Sequence, residues 1–196
     1  MRIVHVDDRL VVVDKPSGLL SVPGRLEADC ASVRVQALYP DALVVHRLDQ
    51  ATSGLLLFAR GAKAQRELSA DFAGRRVGKT YVAIVAGGLQ GDGLIDLPLA
   101  ADWPNRPRQQ VDHEHGKPSQ TRWRVLGAAG PHTRVVLEPI TGRSHQLRVH
   151  LAALGHAILG DALYAPPDIA AASPRLLLHA SELRVGDHRF TSPPEF

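Results

Sequence analysis

The chain holds a single cysteine, Cys30, among 196 residues. That excludes an intrachain disulfide and any zinc site built from several cysteines, and it points to the cytoplasm as the expected setting. No apolar run approaches the roughly 20 residues of a membrane-spanning helix. Met1-Arg2-Ile3-Val4 opens directly into a strand-like pattern and not into the apolar stretch of a signal peptide. No membrane role is expected. Internal repeats are absent, and the only biased segment is the Ala/Pro-rich 165–174. A large excess of one charge is missing too: 23 Lys and Arg face 20 Asp and Glu, for a net +3. Composition therefore does not demand a polyanionic partner, and the placement of the arginines has to decide. What is present is ordinary globular material, 44% hydrophobic and 22% charged, enough for one domain over 1–196 with its own core.

The most informative stretch is Val45-His46-Arg47-Leu48-Asp49-Gln50-Ala51-Thr52-Ser53-Gly54, with the apolar Leu55-Leu56-Leu57-Phe58 directly behind it. A carboxylate at the mouth of a buried strand, with a fixed cation two residues away, is kept ionised, because a neighbouring positive charge favours the charged form. Such a group serves as a nucleophile or base. A loop aspartate in a structural ion pair with Arg47 accounts for the same residues, and the stretch alone does not separate the two.

Before it, residues 2–6 and 10–14 read as strands joined by an Asp7-Asp8-Arg9 turn, and Lys15-Pro16-Ser17-Gly18 reads as a solvated loop. Val33, Ala37 and Leu38 suggest a helical face over 30–39. After it, Ala64, Leu68 and Phe72 predict a helix over 62–73, stopped by Gly74. Gly78-Lys79-Thr80 has the ending of a phosphate-binding loop without its spacing, since position 73 is Ala where a glycine is needed and a helix precedes. Residues 87–119 read as a long Gly/Pro-rich loop in which Trp103, Arg106, Arg108 and Lys117 interleave an aromatic with cations, a combination suited to a nucleic-acid backbone with a base to stack. His113-Glu114-His115 lacks a third ligand at metal spacing. Strands are predicted over 121–126 and 133–138, then a helix over 145–154 capped by Ser144. Its core stripe is Leu147, Leu151 and Leu154, with Arg148 on a neighbouring polar face. The tail offers two short strands, one around His179 and one around Arg184.

Taken together, these pieces resemble the RluA-type RNA pseudouridine synthases. His46-Arg47-Leu48-Asp49 with Thr52-Ser53-Gly54 looks like that family's catalytic-aspartate motif and Lys79-Thr80-Tyr81 like its tyrosine motif. Thr141-Gly142-Arg143-Ser144-His145-Gln146-Leu147-Arg148-Val149-His150 looks like its third motif. Val12-Val13-Asp14-Lys15-Pro16-Ser17-Gly18, Gly160-Asp161 and Leu178-His179-Ala180 extend the likeness over nearly the whole chain. Asp102-Trp103-Pro104-Asn105-Arg106-Pro107 and Gly116-Lys117-Pro118-Ser119-Gln120-Thr121 look like the dual-specificity branch, which acts on a tRNA anticodon stem-loop and a large-subunit rRNA hairpin.

The resemblance implies a mixed α/β (α+β) fold, a largely antiparallel sheet with flanking helices and a central basic cleft, acting as a monomer. The motifs start at once, so no N-terminal accessory RNA-binding domain is expected. It implies isomerisation of uridine to pseudouridine without metal or cofactor, with Asp49, Tyr81 and Arg148 catalytic. Asp49 starts the reaction as nucleophile or base, Arg148 holds its carboxylate by a paired salt bridge, and Tyr81 stacks on the uracil and takes part in removing the carbon-5 proton. The nucleotide is flipped out, and Arg47 fills the vacated place or grips the flanking phosphate. Arg75, Arg76, Lys79, Arg106, Arg108 and Arg143 are the expected backbone contacts; about five of them on phosphates give a log-log salt slope of about −3.5 to −4.5. Two other classes compete: an RNA-binding module or chaperone without chemistry, and a hydrolase that frees uracil. A kinase-like reading of His-Arg-Leu-Asp fails, because Leu48 is inserted and no Gly-rich loop precedes it.

Overall fold

The structure is a computed structural model describing residues 1–196. Along the chain run β1 (Arg2–Val6), β2 (Leu10–Lys15), α1 (Ala31–Gln36), β3 (Ala42–Val44), β4 (Ser53–Arg60) and α2 (Gly61–Ala73). Then come β5 (Gly78–Val85), β6 (Asp92–Asp96), β7 (Leu99–Ala101), β8 (Gln109–Val111), β9 (Gln120–Ala129) and β10 (His132–Pro139). The last elements are α3 (Gln146–Ala153), α4 (Pro167–Ala171), β11 (Leu178–Val185) and β12 (His188–Thr191). They fall into two compact units, Met1–Lys79 with His179–Glu195, and Thr80–Leu178 with Phe196.

The first unit is built around β4. Its Leu55-Leu56-Leu57-Phe58 run is buried on both faces, which is why it reads as continuous apolar sequence and not as an alternation; each such side chain contributes about 2 kcal/mol by leaving water. β2 and β3 pair antiparallel with β4, and β1 pairs antiparallel with β2. β11 lies parallel to β4, His179 opposite Ser53 and Ala180 opposite Gly54. The approach is so close that a Cβ on Gly54, at φ +109°, would stand 2.4 Å from the Ala180 carbonyl oxygen. α2 lays Ala64 and Leu68 onto this core with Phe72 at its edge, as its spacing predicts. Gly74 ends it, although the left-handed residue is the next one, Arg75, at φ 59°.

Two expectations for this unit fail. α1 buries Ala31, Ser32 and Val35, while Val33 and Leu38 face water; a helix of this length has too few turns for spacing to identify its inner face. His179 and Arg184 share one strand, β11, and the second strand of the tail is β12, reached through Gly186 in the left-handed region.

The second unit carries an antiparallel sheet in the order β5, β10, β9, β6. β10 alternates cleanly, with Thr133, Val135 and Leu137 inward. The segment read as one long loop, 87–119, contains β6, β7 and β8; β7 and β8 pair with each other. α3 differs as well. Its N-cap is His145 at φ 54°, not Ser144, and no side chain caps it; the Gln146 Oε1 instead holds the turn that leads into the helix, accepting from the Arg143 amide at 3.0 Å. The helix is buried nearly all round: Arg148 and His150 lie inside with Leu147, Val149 and Leu151, while Leu154 is exposed.

Candidate active site

Between β3 and β4 the backbone alternates inward and outward. His46 stacks on Phe72 with ring centroids 4.4 Å apart, and its Nε2 accepts the Leu57 amide at 2.9 Å. That bond requires the neutral ring, and burial, with the Lys79 cation adding to it, pushes the His46 pKa down to about 3. Leu48 is buried two residues on. With His46 and Leu48 anchored, Arg47 turns out to solvent and Asp49 stands partly exposed, within reach of water.

The loop is fixed by its carbonyls, all four in succession. Leu48 O accepts from Ser21 Oγ at 2.6 Å, and Asp49 O from the Thr52 amide at 3.1 Å. Gln50 O accepts from the Gly18 amide at 2.9 Å and from Lys15 Nζ at 3.1 Å, and Ala51 O from Ser17 Oγ at 2.7 Å. The Lys15-Pro16-Ser17-Gly18 segment is thus the clamp of the Asp49 loop. Lys15 is not solvated as its neighbours suggest: it is fully buried, and burial pushes its pKa down to about 8, with the Asp49 charge acting the other way. Behind the loop, Ser53 Oγ meets His179 Nδ1 at 2.9 Å. His179 Nε2 donates to the Ser192 carbonyl at 3.1 Å, and Ser192 Oγ donates to Asp14 at 2.6 Å.

In the second unit Tyr81 stands on β5 opposite Leu137 of β10, partly buried. Gly78-Lys79-Thr80 begins that strand and forms no phosphate loop. Arg148 is buried, and Asp161, also buried, takes its Nε and Nη2 in a fork of 2.8 and 2.6 Å. Asp161 Oδ1 also accepts the amides of Leu163 and Tyr164. The guanidinium carbon of Arg148 lies 5.0 Å from the Tyr164 ring centre. The Tyr164 hydroxyl accepts the Gln109 amide at 2.8 Å and shares a hydrogen bond with His145 Nδ1 at 2.5 Å. Thr141, Gln146 and His150 are structural: Gln146 Nε2 donates to Gln120 O and to Thr121 Oγ1, and His150 bridges Thr121 Oγ1 and the Leu97 carbonyl. Sequence reasoning gave Tyr164 no part and Asp161 only a place in a motif; a carboxylate thirteen residues beyond a helical arginine carries no spacing signal.

The basic candidates divide by environment. Arg47, Arg75, Arg106, Arg108 and Arg143 are exposed. Arg76 is exposed and paired with Asp71 at 2.8 Å. Lys79 is partly buried and its pKa is lowered by desolvation, which suits it least for a phosphate. Arg106 lies over the exposed Trp103 ring, 3.3 Å from its centre, and Arg108 sits 5.5 Å from the Tyr164 ring centre.

Residues 9–153 match the family described as RNA pseudouridylate synthase. Over 187 residues the chain is 56% identical to the dual-specificity RNA pseudouridine synthase RluA of Escherichia coli strain K12, covering 93% of this chain and 85% of that protein. It is 51% identical over 200 residues to the protein of the same name from Yersinia pestis, covering 100% and 97%. Among solved structures, human RNA pseudouridylate synthase domain containing 1 superposes with a TM-score of 0.86 at 30% identity, over 100% of this chain and 84% of that one. Human RNA pseudouridylate synthase domain containing 4 gives 0.81 at 25%, over 98% and 88%.

Proposed function

Because the chain belongs to the RNA pseudouridine synthase family and is an isomerase that converts uridine in RNA to pseudouridine, we propose that Asp49, Tyr81 and Arg148 carry the reaction and that the substrates are stem-loops of tRNA and of large-subunit rRNA. The substrate reading is supported by the identity to dual-specificity relatives. The observation that carries the catalytic reading is the Asp49 loop: four consecutive carbonyls are held by donors, and the aspartate side chain stands partly exposed on that fixed backbone, next to the buried Leu48. Geometry so fixed requires little reorganisation when a substrate arrives.

The chemistry breaks the bond between uracil nitrogen-1 and the ribose, turns the base, and forms a bond from the ribose to carbon-5. The proton leaves carbon-5 and nitrogen-1 ends protonated, so no electrons are gained or lost. Asp49 opens the sequence, acting on the ribose carbon, the uracil ring or a ribose proton; Tyr81 stacks on the uracil and serves the carbon-5 proton directly or through water. Arg148 steadies the carboxylate on which the chemistry turns, its own guanidinium held by Asp161. The uridine leaves its stack, at about a few kcal/mol and less in a loop, and exposed Arg47 takes its place or holds the neighbouring phosphate. Arg106 on Trp103 offers a cationic stacking surface for a flanking base. Stem-loop RNA made in the cytoplasm suits a protein whose one cysteine, Cys30, is free.

The test is tritium release from stem-loop RNA labelled at uridine carbon-5. Asp49→Asn should release none above background while binding the RNA within a few-fold of wild type; release at the wild-type rate would sink the assignment. The RNA mass should not change with wild-type protein, because free uracil would mark hydrolysis.

A further inference from the structure

The hairpin of β7 and β8 forms a two-stranded sheet of its own, with three residues in each strand. A hairpin this short is marginal by itself, so its attachments decide how firmly it stands. The turn at its tip, residues 102–108, is closed from within: Asn105 Nδ2 donates to both carboxylate oxygens of Asp102 at 3.1 and 3.0 Å, and the Asp102 amide donates to the Arg108 carbonyl at 3.0 Å. Trp103 and Arg106 stand out from that turn into water. At its base β8 packs against α3, and the Gln109 amide donates to the Tyr164 hydroxyl at 2.8 Å.

The same tyrosine reaches the arginine assigned to the chemistry. Its ring centre lies 5.0 Å from the guanidinium carbon of Arg148 and 5.5 Å from that of Arg108. Its amide donates at 3.2 Å to Asp161, the carboxylate on which Arg148 is forked. Its hydroxyl also shares the 2.5 Å hydrogen bond with His145 Nδ1, the two rings meeting edge to face at 5.6 Å. His145 is the N-cap of α3, three residues before Arg148, and at φ 54° it holds a conformation that disfavours a side chain. A phenylalanine at 164 would fill the same space against both guanidinium groups. What the hydroxyl adds is a join between the first residue of β8 and the start of the helix that carries Arg148.

We propose that Tyr164 is a positioning residue that ties the exposed turn at 102–108 to Arg148, so that the hold of this turn on the RNA sets the rate of the chemical step as well as the affinity. This rests on the assignment of Arg148 to the chemistry and of the turn to RNA. Every part of the connection is stiff: a turn closed by its own hydrogen bonds, an aromatic side chain with few rotatable bonds, and a guanidinium forked onto a buried carboxylate. An arginine that steadies a reacting carboxylate gains from surroundings that cannot swing, because a small displacement of the charge weakens its effect on the transition state. RNA lying on Trp103 and Arg106 braces the turn from outside, and the hydroxyl passes that constraint to α3. A tyrosine that served the fold alone would change stability and leave the rate of the folded protein as it was.

The experiment is a double-mutant cycle on single-turnover tritium release from carbon-5-labelled stem-loop RNA at saturating enzyme, with stem-loop affinity and melting temperature recorded for each variant. Tyr164→Phe keeps the ring and deletes the hydroxyl; its saturated rate should be lower by at least about tenfold, with affinity within about threefold. Arg106→Ala should weaken affinity and also slow the saturated rate by about fivefold or more in the wild-type background. In the Tyr164→Phe background it should weaken affinity by the same factor and slow the saturated rate no further. Tyr164→Phe at the wild-type saturated rate overturns the proposal, and so does an Arg106→Ala change that slows both backgrounds equally. Arg106 is exposed, so its alanine variant decides the matter even if Tyr164→Phe fails to fold: a saturated rate equal to wild type shows that the turn acts on affinity alone. Arg148→Lys at the wild-type rate would instead remove the premise; a slow Arg148→Lys beside an unaffected Tyr164→Phe removes the role of Tyr164 alone.

Discussion

Replacing Asp161 should be among the most damaging single changes in the second unit. Its carboxylate is 1% exposed and receives four hydrogen bonds, two from Arg148 and two from the amides of Leu163 and Tyr164. Asp161→Ala deletes all four and leaves a guanidinium that is 5% exposed without the carboxylate it was buried against. Removing one partner of a buried ion pair costs about 3–5 kcal/mol, because the remaining charge keeps its desolvation penalty. For a chain of this size that corresponds to a melting temperature lower by roughly 6–20 °C. Asp161→Asn keeps the shape and an acceptor for the two amides but turns a donor toward Arg148, so it should fall between wild type and the alanine variant. Thermal and urea unfolding followed by circular dichroism give the stability; tritium release on the same samples, below the melting range, gives the rate. If Asp161 also steadies Arg148 for the reaction, the asparagine variant loses rate by a larger factor than RNA affinity. A loss of under about 1 kcal/mol for Asp161→Ala would show that the buried pair does not hold this helix as described.

Two further changes test the first unit. Gly54→Ala forces a side chain into the left-handed region and sets its Cβ 2.4 Å from the Ala180 carbonyl oxygen and 2.6 Å from its amide nitrogen; a loss of about 3 kcal/mol or more is expected in urea unfolding, and a wild-type midpoint would contradict the close strand contact. His46 should make the fold acid-sensitive. The unfolded ring takes a proton near pH 6.5 and the folded one only near about 3, so the unfolded state binds more protons in between and stability drops as pH falls. From this group the loss between pH 7 and 5 is about 2 kcal/mol. His46→Gln, which can still accept from the Leu57 amide, should flatten the melting profile over that interval relative to wild type; parallel profiles would remove His46 as the cause.

The parts of the fold that could be read from sequence are those whose signal is local. The Leu55–Phe58 run, the four-residue spacing of Ala64, Leu68 and Phe72, and the alternation of β10 each state their environment within one element. The parts that were missed depend on partners far away. β6 is five residues amid glycine and proline punctuation, and only its pairing with β9 makes it a strand. α3 looks amphipathic by its leucines, but the partners of Arg148 and His150 lie outside the helix, at Asp161 and at Thr121 and Leu97. Asp49 was singled out as a candidate from its setting, whereas the donors that fix its loop come from some thirty residues upstream and read as an ordinary turn.

Lys15, read from the sequence as part of a solvated loop, and Arg148, read as lying on a polar helix face free to point at a site, are both cations found buried. Propensity and hydropathy place such residues outside because they are almost never fully buried unless paired, and pairing is a property of the fold and not of the neighbouring letters. Each has been given a dedicated set of acceptors, three carbonyls for Lys15 and the Asp161 carboxylate for Arg148. Well-packed apolar residues commonly do as well as buried charges or better, so stability alone is weak ground for such arrangements. On the proposed assignment of Asp49 and Arg148, the chemistry accounts for the buried guanidinium. A reaction that turns on one carboxylate needs positive charge that does not reorient when the base breaks away, and charge held in the interior by fixed acceptors meets that need in a way that a solvated surface cation does not.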